Sequence, residues 1–171
     1  GDSLTRDKLI SCTPLALRLR SKVLDPIPYY MLMLERVRDC ASDFDILHFH
    51  IDQFHFPVFR AVAHSTVTTL HGRQDLPDLK PFYVGFDDMP LVSISDAQRH
   101  PVSNANFVAT ILHGIPSDLH APTYSAQGGY LAFLGRISPE KRAYRAIEIA
   151  RACGIPLKIA AKIDKVDEGY F

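Results

Sequence analysis

Cysteine is scarce in this chain, with Cys12, Cys40 and Cys153 the only three in 171 residues. They are odd in number and far apart, which excludes a disulfide framework and the close spacings of a zinc site. A reducing, cytoplasmic setting is the simpler expectation. No apolar run approaches the roughly 18–20 residues that cross a bilayer, so no transmembrane segment is expected. No stretch has the layout of a secretory leader, and Gly1-Asp2-Ser3-Leu4-Thr5 reads as the middle of a chain. Net charge is missing too, since 19 Lys and Arg meet 19 Asp and Glu. A broad nucleic-acid-binding surface is therefore not expected, and any anion site has to come from locally placed charge. No Walker loop, serine elbow or catalytic-cysteine arrangement occurs.

What is present is a core. Hydrophobic residues make up 47% and charged residues 22% of the chain, the balance of a globular protein. Phe44–Ile51, Ser65–Leu70, Pro90–Ile94 and Phe107–Leu112 read as short apolar or β-branched strands. Phe56–Ala63 is a short amphipathic stretch, and Ser95 is placed to cap a brief helix that stops before Pro101. Upstream, Tyr30, Met33, Leu34 and Val37 fall at i, i+3, i+4, i+7, which predicts a helix over Pro28–Cys40 with a core-facing stripe. Apolar strands separated by helices predict an α/β fold: a Rossmann-like parallel sheet with helices on both faces.

Residues 116–129 are rich in proline and glycine without periodicity and read as a linker after a first domain over 1–115. A β-α-β unit over 130–171 follows. Leu131–Leu134 is its strand, and a helix over Pro139–Cys153 turns Ala143, Ala146, Ile147, Ala150 and Cys153 inward. That helix ends at Gly154 with Pro156 beyond, and Leu157–Ala161 is the next strand. A lone β-α-β cannot bury both faces of its sheet, so it reads as an incomplete second domain whose exposed edges favour a homo-oligomer.

Three loops carry candidate chemistry. In Tyr130-Leu-Ala-Phe-Leu-Gly-Arg-Ile-Ser-Pro-Glu-Lys-Arg142 an apolar run ends at Gly135, turns through Arg136 and opens a helix near Lys141. Fixed cations beside a helix N-terminus suit a phosphate or diphosphate; the alternative is a good helix start with solvated charges. His71-Gly72-Arg73 directly follows a strand's carboxyl end, where open parallel sheets bind ligands. There, His71 either meets a ligand or caps the strand through a backbone carbonyl. His48 and His50 lie two apart and share one strand face, with Asp52 and His55 nearby. A packed pair, a lining of an active site and a metal site all remain open, although no ligand set has diagnostic metal spacing.

Phe-Asp-Ile-Leu-His-Phe-His (44–50), Thr-Thr-Leu-His-Gly (68–72), Val-Ser-Ile-Ser (92–95), Ile-Leu-His-Gly-Ile-Pro (111–116) and Phe-Leu-Gly-Arg-Ile-Ser-Pro-Glu-Lys-Arg (133–142) together resemble the retaining nucleotide-sugar glycosyltransferases of family four. That resemblance implies a GT-B fold, with two Rossmann-like domains facing a cleft. It also implies transfer of a hexose from a nucleotide sugar to a glycosyl acceptor with retention of configuration. Gly135, Arg136 and Lys141 then correspond to the donor-diphosphate site, and His71 to the catalytic histidine facing the donor sugar. His50, Asp52, Gly72, Arg73 and Ser95 would line the cleft. The resemblance calls for no metal and no cofactor beyond the donor itself. The family's glycine-rich loop and late paired glutamates have no counterpart here. The chain therefore reads as an internal fragment, with weak or no transfer by itself. The competing expectation is a non-enzymatic α/β module that binds anions or sugar phosphates and oligomerises.

Overall fold

The computed structural model describes residues 5–17, 20, 23–122, 124–125, 128–163 and 167–171. The chain forms two compact units, Gly1–Ile115 and Pro116–Phe171. Thr123, Ala126 and Gln127 of the expected linker, and Gly1–Leu4, lie outside the described residues.

The first unit is α/β, built on a Rossmann-like parallel sheet. Its strands are β1 (Leu47–Phe49), β2 (Thr66–Thr69), β3 (Leu91–Ser93) and β4 (Phe107–Thr110), hydrogen-bonded in the order β1-β2-β3-β4. Each strand is shorter than its apolar run. Phe44 and Ile46 precede β1 but stay largely exposed, because a 3-10 turn over Ala41–Asp43 feeds the strand. At its other end the backbone of Asp52 turns left-handed, with φ 52°. Between β3 and β4 the register slips at Leu91/Val92.

Helix α1 (Ile27–Asp39) starts where proline costs least. Pro28 lies in the first turn, where its missing N–H has no partner to lose, and the Asp25 carboxylate accepts from the Ile27 N–H at 2.9 Å. Its apolar stripe faces inward as the spacing predicts: Leu34 is buried, and Val37 packs on the cluster Leu34, Leu47, Phe49 and Phe59. Helix α2 (Phe56–Phe59) runs into a 3-10 segment, Arg60–Ser65, that leads to β2.

Helix α3 (Leu79–Gly85) is absent from the sequence expectations. Leu79, Phe82, Tyr83 and Phe86 fall at the same i, i+3, i+4, i+7 spacing, but Pro81 and Gly85 hide the pattern. Pro81 is harmless because it sits in the first turn. This helix completes the larger core cluster of Phe56, Leu70, Leu79, Tyr83, Met89, Leu91, Val102 and Ala105. Burying each of the larger apolar side chains stabilises the fold by roughly 1.5–3 kcal/mol. Helix α4 (Asp96–Arg99) is capped as expected, the Ser95 hydroxyl accepting from the Gln98 N–H at 3.2 Å.

The second unit is one β-α-β turn of chain. β5 (Leu131–Arg136) and β6 (Leu157–Lys162) pair in parallel, and α5 (Ala143–Cys153) connects them. Gly154 closes α5 in the left-handed conformation at φ 65°, as a glycine there favours, its N–H reaching the Ala150 and Arg151 carbonyls. Ala143 and Ala150 are the buried hydrophobic residues of the described part of this unit. Leu134, Ile149 and Ile159 stay exposed. Cys153, expected to face inward, is exposed, because one helix over two strands has no inner wall left for its last turn. No helix among the described residues is long and apolar enough to cross a membrane.

Candidate functional sites at the carboxyl ends of the strands

The carboxyl ends of β1, β2 and β4 bring together side chains that are far apart in sequence. His48 on β1 and His50 just past its end lie close together, their ring centroids 4.3 Å apart. His48 Nε2 lies 2.8 Å from the Thr69 hydroxyl on β2. His50 Nδ1 lies 2.8 Å from His71 Nε2, so His71 bonds to another imidazole rather than capping a backbone carbonyl. The His71 ring then stacks on His113, 5.2 Å between centroids and 11° between planes. Burial holds the His50 imidazole below its ordinary pKa, and the neighbouring His48 and His71 add to the effect. Crowded imidazoles resist simultaneous protonation.

Asp52 lies beside this row. Its left-handed backbone is uncommon for a residue with a side chain, and such outliers gather where a site demands them. Its Oδ1 is buried with no hydrogen-bond partner among the described residues. The carboxylate rests against Gly72, 3.7 Å from where a Cβ at 72 would lie. Asp52 also acts on Tyr83, whose hydroxyl is pushed above its ordinary pKa first by burial and then by that carboxylate.

Two glutamines fix the Gly72 loop. The Gln98 amide donates to the carbonyls of Leu70 at 3.1 Å and Gly72 at 2.7 Å, while its oxygen accepts from the Ile94 N–H at 2.9 Å. The buried Gln74 donates to the Gly72 carbonyl at 3.2 Å and accepts from the Tyr83 hydroxyl at 2.7 Å. Arg73, by contrast, pairs outward with Asp75 through two bonds of 2.6 and 2.7 Å. The Asp75 carboxyl is held below its usual range chiefly by that guanidinium. Ser95 serves its helix cap, and beyond it Thr110 ties β4 to α4 through Asp96 and Arg99.

In the second unit the anion motif is built differently from the sequence expectation. Gly135 and Arg136 belong to β5 rather than to a turn, in register with Ala161 and Lys162 of β6. The predicted helix start at Ser138-Pro139-Glu140 is a separate 3-10 turn, Pro139–Lys141, and Lys141 therefore lies before α5 rather than in its first turn. The break is Arg142, left-handed at φ 53° and ψ 46°. The N–H groups of Lys141 and Arg142 both turn back to the Ser138 carbonyl, at 3.1 and 3.2 Å. A glycine is not required at 135, where a Cβ would make ordinary contact with the Phe133 ring at 3.6 Å.

Register places Arg136 and Lys162 side by side at the carboxyl ends of two parallel strands, where they line an open concavity of about 480 Å³ with Leu134, Gly135, Ala160 and Ala161. Arg136 donates to the Glu140 carboxylate at 2.8 Å. Asp167 lies 3.8 Å from the same guanidinium. The Glu140 carboxyl sits below its usual range, first through its own backbone N–H, with Arg136 and Lys141 adding to the effect.

Among the described residues, no group of three or more His, Cys, Asp or Glu could hold a metal ion. His113, Gln98 and Lys162 are site residues that the sequence reading missed. His50, His71 and His113 each follow a strand of the parallel sheet, and that repetition was the available signal for His113. Lys162 becomes visible only once the β5–β6 register is known. No protein-family model matches this chain, and no curated protein matches it either.

Proposed function

We propose that the chain carries donor-diphosphate and sugar-facing parts of a retaining glycosyltransferase that uses a nucleotide sugar. The observation that supports this reading best is the pair Arg136 and Lys162. Two cations in register at the carboxyl ends of parallel strands, next to a strained strand-to-helix connection, suit a diphosphate. Arg136 supplies a planar fork for two phosphate oxygens and Lys162 a mobile point charge. Lys141 joins them from the 3-10 turn. In such a transfer the charge grows on the departing diphosphate, and fixed cations stabilise it most as the sugar leaves. Within the first unit, taken by itself, His71 is the residue that the resemblance assigns to a sugar hydroxyl.

The test is equilibrium binding of nucleoside diphosphates and nucleotide sugars at low and high salt. Binding should weaken with salt, since the recognition is ionic. Arg136→Ala should weaken it about tenfold or more, the size of one charged hydrogen bond lost. Lys162→Ala and Lys141→Ala should act in the same direction with smaller effects. Equal affinity in all three variants overturns the site. Sugar transfer or hydrolysis, assayed alongside, separates the enzyme from an α/β module that holds sugar phosphates without turning them over.

A further inference from the structure

A neutral imidazole has one N–H donor and one bare nitrogen. The 2.8 Å contact between His50 Nδ1 and His71 Nε2 therefore holds one proton between two nitrogens. If His50 donates, its proton is on Nδ1, and the accepting His71 must carry its own on Nδ1 as well. If His71 donates from Nε2, the accepting His50 must carry its proton on Nε2. The contact thus locks both rings into the same tautomer. Beyond His71 lies a third ring, His113, nearly parallel to it. It comes from the segment after β4 and meets His71 by fold alone.

We propose that His50 and His113 are positioning residues for His71: His50 occupies Nε2 of His71 and so sets whether its Nδ1 offers a ligand a proton or a lone pair, and His113 holds the plane of its ring. The ligand class is a polyol such as a hexose, whose hydroxyls both donate and accept. A ring of fixed tautomer discriminates between those two roles, which a freely exchanging imidazole does not. The inference rests on the reading of His71 as the sugar-facing residue.

The groups around His50 and His71 come from three strand ends. On β1 and its exit stand His48, His50 and Asp52; after β2 come Arg73 and Asp75, already paired with each other; after β4 comes His113. His50 is disfavoured as a cation by burial and by His48 and His71. The Asp52 carboxylate lies against Gly72, the residue next to His71.

Long-range proton–nitrogen NMR spectra of the whole chain, recorded above pH 8, read the tautomer of each histidine directly. The expected result is that His50 and His71 show the same single tautomer. His50→Ala should release His71 into a mixture, and His50→Asn, which keeps an amide near the Nδ1 position, should restore one form. His113→Ala should leave the tautomer in place while the His71 ring loses order in carbon relaxation, and His113→Phe should recover that order. Opposite tautomers at His50 and His71, or a mixture in the unaltered chain, overturns the proposal. An unchanged ring order in His113→Ala removes His113 from it. If His50→Ala does not fold, the unaltered chain and His113→Phe still decide between these outcomes. No substrate enters the measurement, so its failure leaves the diphosphate site standing, and failure of diphosphate binding leaves the histidine row standing.

Discussion

The two units contrast in how they hold their side chains. In Gly1–Ile115 the residues at the strand ends rest on a core of fully buried side chains, Phe56, Leu70, Tyr83, Met89, Leu91 and Val102 among them. In Pro116–Phe171 two alanines are the buried hydrophobic residues described, and a concavity of about 520 Å³ lined by Ile137, Tyr144, Ile147, Ile159 and Phe171 stays open. The lesson is that site precision follows burial. Gln74, which donates to the Gly72 carbonyl, is itself held by a buried bond from the Tyr83 hydroxyl whose loss leaves a buried group unpaired, whereas Arg136 is oriented by a half-exposed pair with Glu140. Exposed ion pairs contribute little, about 0–1 kcal/mol.

The largest effect that can break this contrast is expected at Phe56. Truncation to alanine removes a ring at the centre of the main cluster and should cost about 3–5 kcal/mol in denaturant unfolding. A cost below 1 kcal/mol would show that the first unit has no tight core. Next comes acid. Burial draws His55 down to about 4, opposed in part by the Asp52 backbone; the ring stacks on Phe49 at 3.8 Å and meets the Thr68 hydroxyl at 2.8 Å. Its folded pKa lies below the unfolded value near 6.5, so its neutral form stabilises the fold fully above that value. That stability is lost as pH falls from about 6.5 towards 4, by up to about 3 kcal/mol. His55→Phe should flatten this part of the pH–stability profile; an unchanged slope contradicts the assignment.

A smaller effect sharpens the comparison. Tyr83→Phe strips the partner from the buried Gln74 oxygen and should cost about 1–3 kcal/mol, read as a shift of the unfolding midpoint. Smallest of all is Ile147→Ala on α5. That side chain is 38% exposed, so its truncation should cost less than about 1 kcal/mol. A larger loss means that the open face of the second unit is covered in solution, and sedimentation would then show self-association.

The α/β class and parallel sheet were legible because strand-length apolar runs alternate with helical spacing. The stripe of α1 and the caps at Ser95 and Gly154 were legible for local reasons: each depends on residues within one turn of the chain. Helix α3 escaped because Pro81 and Gly85 are breakers by type, and only their positions, in the first turn and at the end, make them compatible with helix. The left-handed Arg142 escaped because nothing in Glu-Lys-Arg marks a residue for that region, and the turn geometry imposes it. His113 and Lys162 escaped for a third reason: their partners His71 and Arg136 are set by strand order and register, which no local window contains. The expected phosphate cradle at Gly135 is accordingly a strand end with cations in register, not a glycine turn leading into a helix.

The most direct test is an amide NMR titration of the chain with a nucleoside diphosphate and, separately, with its sugar conjugate. The diphosphate should move the amides of residues 135–142 and 162, with the Arg136 and Lys162 side-chain signals shifting in parallel. The sugar conjugate should move those same signals. Shifts confined to other surfaces, or none at millimolar ligand, contradict the account.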